Sequence, residues 1–123
     1  MKMLVAKFSL LFTLIAVSPA VWAQDSSIPD YVAGHPLDAL TPLEIDTVAM
    51  LLRDDGKADD STLFGAITLI EPPKADVRAW SEGKPFDRRA LAILRHNGKT
   101  FEARIDVAAK KIEDFKEVPG AQP

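Results

Sequence analysis

The stretch Thr41 to Gly56, TPLEIDTVAMLLRDDG, constrains the fold more than any other, because it is an amphipathic helix in a chain whose later segments read as strands. Thr41 is a good N-cap, Pro42 occupies the first helical position where its missing N–H costs nothing, and Glu44 completes a capping box. Ile45, Val48, Ala49 and Leu52 recur at i, i+3, i+4 and i+7, so they form one apolar stripe that must be buried. Asp54, Asp55 and Gly56 supply the stop, with Gly56 suited to a left-handed backbone. The helix is expected over Pro42 to about Asp54.

Beyond the helix the chain is organised mainly as strands. Gly56–Ser61 is a polar loop, and Thr62–Glu71 is β-branched and apolar, predicting a largely buried strand in which Gly65 marks a bulge or a close backbone approach to the helix. Pro72 and Pro73 end it. Val77 and Trp80 lie three apart in Lys74–Glu82, the spacing of a short helix closed by Gly83. Arg88–His96 predicts a second strand, and Asn97-Gly98 is a strong type I′ hairpin signal because both positions of that turn need positive φ. Lys99–Val107 returns with Phe101, Ala103, Ile105 and Val107 alternating against Thr100, Glu102, Arg104 and Asp106, one buried face and one wet. Ile112–Val118, with Phe115 as its main apolar residue, predicts a fourth strand. The fold class expected is therefore α+β, one main helix packed on a roughly four-stranded antiparallel sheet.

The N-terminal residues are read separately. Lys2 and Lys7 precede the apolar run Phe8–Val17, and small residues continue as far as Ala23, the layout of a secretory signal peptide over residues 1–23. The run is ten residues long, short of the roughly 20 that a membrane anchor needs. No stable membrane anchor is expected after cleavage, and a periplasmic or secreted location is expected. Residues 24–34 form a flexible lead-in, in which Tyr31 and Val32 can pack on the domain or on another chain. His35–Leu40 is expected to run extended, since Pro36 biases His35 away from the α region.

Without Lys2 and Lys7, 13 basic side chains face 18 acidic ones, a net charge of −5. An acidic surface with no basic cluster argues against nucleic acid as a partner. The sequence has no cysteine, so stability rests on the core, helped in so small a domain by any partner surface. Two histidines, His35 and His96, are too few for the usual three or four protein ligands of a metal site. Ser26, Ser27, Ser61 and Ser81 lie in loop contexts without a nucleophile elbow. Glu71, Asp76, Glu82 and Asp87 offer carboxylates for acid–base work, or simply a solvated rim. Trp80 is either core or an exposed contact, and Arg78, Lys84, Arg88 and Arg89 around it are either ordinary polar surface or a partner-facing rim.

A set of colinear segments resembles one family. HPLD at residues 35–38, the helix opening TPLEI, LIEPPK at 69–74, VRAW, DRRA, GKTFEARIDV at 98–107 and the closing EVPGAQP together resemble the small N-terminal domain, often called the second, of copper amine oxidases. The resemblance covers residues 35–123 and implies a cystatin-like α+β unit. It also implies that the chemistry lies elsewhere, because in that family a larger β domain carries the tyrosine that becomes topaquinone and three copper-binding histidines. The only tyrosine here is Tyr31, in the context DYV. Copper and topaquinone are therefore expected in a partner chain and not in this one. As a separate exported chain it is similar to the small subunits that accompany some bacterial tyramine oxidases, which implies a noncatalytic accessory subunit docking on a large catalytic amine oxidase subunit. Motif position suggests Tyr31, His35, Glu71, Lys74 and Trp80 as partner-interface residues. The competing readings are a free-standing cystatin-like binding or inhibitor module, and a small hydrolase using carboxylates near Glu71 and Asp87.

Overall fold

A computed structural model describes residues 31–121 of the chain. The signal peptide expected over 1–23 and most of the lead-in lie outside those residues. The chain runs α1 (Pro42–Asp54), β1 (Leu63–Ile70), α2 (Lys74–Ala79), β2 (Arg89–His96), β3 (Lys99–Asp106) and β4 (Lys111–Glu117). The strands form one antiparallel meander in the order β1-β2-β3-β4. The α+β expectation holds, with every element end but that of the short helix within a residue of its expected place. No helix among the described residues is long and apolar enough to cross a membrane.

The capping box forms as its sequence dictates. The Glu44 N–H donates to Thr41 Oγ1 at 3.2 Å, and the Thr41 N–H donates to Glu44 Oε2 at 2.7 Å. Asp55 caps the far end of the helix, and Gly56 takes φ +72°. On the stripe, Val48 and Leu52 are fully buried while Ile45 and Ala49 are partly covered. They pack on the inner face of the sheet with Ala90, Ala92 and Leu94 of β2 and Ala103 and Ile105 of β3. Three of those five sheet positions are alanine, which leaves room for the valine and leucine of the helix between the strands' larger residues. Phe101 and Phe115 stack at 4.9 Å between centroids and close the β3–β4 side.

Asn97 and Gly98 take φ +51° and +75° in the β2–β3 turn, the I′ geometry that this pair of residues predicts. The bulge at Gly65 is also present, as a register shift between Phe64 and Ala66. A Cβ at residue 65 would lie 3.6 Å from the Ile93 carbonyl oxygen, so the close approach is to β2 and not to the helix.

Three local expectations are corrected. His35–Leu40 is not extended: the Asp38 N–H donates to the His35 carbonyl at 3.0 Å, closing a turn with Pro36 at its second position, where a fixed φ favours turning. β1 is not largely buried, because it is an edge strand with no fully buried residue and with Leu63 67% exposed. Its composition reads as buried because β-branched apolar residues cannot reveal which strand ends up outermost. The short helix stops at Ala79 and not at Glu82, with Trp80 already extended at ψ 146° and Gly83 left in the next turn.

Candidate functional site

The segment between β1 and β2 folds back against the turn at His35 and leaves a cleft of about 460 Å³. Its floor is Ile70 and Arg89, at facing ends of β1 and β2, and Glu71, Pro72 and Pro73 form one wall. The two prolines hold that wall extended before α2 begins. Trp80, Phe86 and Asp87 form the other wall, and Asp76 and Lys84 line it as well.

The aromatic wall is held from both sides. Trp80 Nε1 donates to the Lys84 carbonyl at 2.8 Å, which fixes the ring and closes the loop at Gly83. His35 meets the Trp80 ring edge-on at 4.9 Å, and Phe86 meets it edge-on at 5.9 Å, the geometry that aromatic quadrupoles favour. His35 is itself held by the turn, its Nδ1 accepting from the Leu37 N–H at 3.1 Å. The Asp38 carboxylate accepts from the His35 and Gly34 N–H groups at 2.8 and 2.9 Å, and these bonds keep its pKa below the ordinary value.

Beneath this wall lies Arg88, 6% exposed. Its Nε and Nη2 bind the two oxygens of Glu44 at 2.7 and 2.8 Å. Its remaining N–H groups reach the carbonyls of Asp38 at 2.8 Å, Ala39 at 3.0 Å and Pro36 at 3.5 Å. All five guanidinium donors thus have an acceptor, the condition for burying such a group at tolerable cost. Arg88 joins the N-terminus of α1, the turn at His35 and the start of β2. It is therefore an internal clamp and not part of a partner-facing rim, and its neighbour Arg89 is the one that faces out. Arg89 spreads over Glu113 and Asp87 at 3.2 and 3.3 Å.

The Arg88 guanidinium, bonded to Glu44 and outweighing the opposing effect of burial, holds the Glu44 carboxyl below its ordinary value of 4.5; the Thr41 N–H adds to the effect. A carboxylate with a depressed folded-state pKa contributes stability that is present above the unfolded value and lost as pH falls through the folded one. The domain is therefore expected to lose stability progressively below about pH 4.5. In an Arg88→Met variant, urea midpoints measured from pH 6 down to pH 3 should fall less steeply.

Of the five interface residues expected from sequence, Glu71 and Trp80 line the cleft and His35 braces Trp80 from outside. Lys74 opens α2 as an exposed residue, and Tyr31, 55% exposed, lies by the Asp38 turn, neither lining the cleft. The cleft also contains Phe86 and Asp87, and only the meeting of the loop with the turn brings Phe86 into it. The histidines lie in separate places, His96 facing Thr62 Oγ1 at 2.9 Å. Among the described residues no three His, Asp or Glu side chains are placed to share a metal ion.

Fold and cleft together define a small α+β module that presents an aromatic, proline-walled surface. Residues 35–117 match the family described as "Copper amine oxidase, N2 domain". The chain belongs to that family. It is 36% identical over 84 residues to a primary amine oxidase of Arthrobacter sp. (strain P1), covering 67% of this chain and 12% of that protein. A copper-containing amine oxidase, gamma 1, of Arabidopsis thaliana is 35% identical over 81 residues, 63% of this chain and 11% of that protein. A primary amine oxidase of Klebsiella aerogenes is 32% identical over 90 residues, 71% and 12%. The chain thus spans about 12% of the length of these curated relatives.

Proposed function

We propose that the chain is a noncatalytic accessory subunit of a periplasmic or secreted copper and topaquinone primary-amine oxidase, tyramine being the substrate suggested. It docks on a large catalytic chain that holds the copper and the quinone. Its own part is to complete a surface of that chain or to shape substrate entry, without touching the reacting atoms. The observation that carries this reading is the family match, which runs across the described fold from the His35 turn to the end of β4 and corresponds in the relatives to one small segment of a much longer polypeptide. The layout of Lys2, Lys7 and Phe8–Val17 supports export.

The test is affinity purification of the tagged full chain from the organism that encodes it. A large, quinone-staining chain is expected to come with it, and amine-dependent peroxide release is expected from the complex. Recovery of the chain alone would sink the subunit reading, and peroxide release by the small chain alone in the presence of copper would overturn the noncatalytic assignment. The cleft beside Trp80 favours a second reading, a free-standing binding or inhibitor module, which the same purification would reveal as a different captured protein.

A further inference from the structure

The two edges of the sheet are built differently. Five of the seven β4 residues, Lys111–Glu117, are charged, the pattern that keeps an open edge from pairing. β1, Leu63–Ile70, has no charged residue, and among the described residues β2 is its only strand neighbour. Its guard is the bulge at Gly65, and beyond it Ala66 to Ile70 continue in unbroken register.

The same asymmetry crosses the outer face. Residues paired across antiparallel strands project to the same side. Ala90, Ala92 and Leu94 face the core, so the alternate β2 residues and their β1 partners face outward: Leu63 with Arg95, Ala66 with Ile93, Thr68 with Leu91 and Ile70 with Arg89. Leu63, Ala66 and Thr68 are exposed, and α1 packs on the other face. Over β3 and β4 the outer face changes character. Glu102 lies 3.4 Å from Lys116 and 3.9 Å from Arg104, and Asp106 lies 4.0 Å from Arg89, so the charges there neutralise one another. One half of the face is thus finished for water, and the other, among the described residues, carries charge only at its ends, at Arg95 and Arg89, with exposed Ala66 and Thr68 and half-buried Leu91 and Ile93 between them. Ile70 and Arg89 also line the cleft, so this half of the face adjoins it.

We propose that β1, with the outward apolar half of the β1–β2 pair, is the surface that seats on the body of a copper amine oxidase chain, an extended segment of that chain adding along the free edge of β1. This rests on the subunit reading above. The occupant is inferred from two observations. In the relatives this domain is one segment of a polypeptide about eight times its length, so the rest of such a chain is its natural neighbour. The patch also has no charge at its centre, its charges lying at the ends, Arg95 and Arg89, and on the β3–β4 side, and depletion of charge marks the core of an interface.

The experiment uses the tagged full chain, produced in the encoding organism, as wild type, Thr68→Lys, Ala66→Glu and, on the finished half, Lys116→Ala. Thr68→Lys and Ala66→Glu, at exposed edge positions, are expected to keep the wild-type melting temperature and to reduce the recovered oxidase chain at least about tenfold, because a charge would be trapped unpaired in the interface. Lys116→Ala is expected to recover oxidase at the wild-type level. Hydrogen exchange on the complex should newly protect the amides of residues 66–70 that point away from β2. If the wild type captures no oxidase, the subunit reading fails and this assignment with it. If the wild type captures oxidase but both β1 variants capture it equally, or the β1 amides stay unprotected, only the surface assignment falls. A homodimer protected along β1 would overturn it in favour of self-pairing.

Discussion

Arg88→Ala is expected to destabilise the domain by about 3–5 kcal/mol, the cost of removing one partner from a buried ion pair. Glu44, whose side chain is only 17% exposed, would lose both its guanidinium contacts. The carbonyls of Asp38 and Ala39 would lose their donor as well, and the turn at His35 would be released from the helix. A domain of this size has a stability of roughly 5–10 kcal/mol, so the variant should be partly unfolded at physiological temperature. Urea denaturation followed by circular dichroism measures the loss. A double-mutant cycle with Glu44→Gln should return a coupling of about 1–3 kcal/mol, because the two side chains share one network. A loss below about 1 kcal/mol in Arg88→Ala would mean that the cluster contributes no more than an exposed pair does.

Leu52→Ala is expected to cost about 2–5 kcal/mol and to lower the melting temperature by roughly 10–30 °C. Leu52 is fully buried among the sheet alanines, and its backbone carbonyl also accepts from the Lys57 and Ala58 N–H groups at 2.9 and 3.0 Å. Truncation leaves a void that the alanines opposite are too short to fill, so collapse recovers little of the loss. Leu51→Ala, on the partly covered side of the same turn, should cost clearly less; equal losses at the two positions would show that the stripe is not seated as described. Calorimetry of both variants decides.

The elements of this fold are legible in the chain because each is written in neighbouring residues. The capping box needs only Thr41 and Glu44, the hairpin only Asn97 and Gly98, and the inner face of β3 only its alternation. The errors share a different cause. Pro36 restrains the residue before it and so predicts an extended His35–Leu40, yet the Asp38 carboxylate and the three carbonyl bonds to Arg88 bend the segment into a turn. The cleft is half legible: Glu71 and Trp80 can be singled out from their motifs, whereas Phe86 enters through a ring contact made only after the loop folds back. Lys74 and Tyr31 stand out by the same kind of reasoning but do not line the cleft.

By itself, then, the sequence determined the elements, their order, the α+β class and the family resemblance, because periodicity and turn chemistry act over a few residues. It could not say which of Arg88 and Arg89 would be buried, since the carboxylate that decides the matter lies 44 residues away at Glu44. Nor could it say that β1 would be left at the edge with an apolar outer half. Those outcomes depend on which strands pair and on which face the helix covers, and such long-range contacts exist only once the chain has closed on itself.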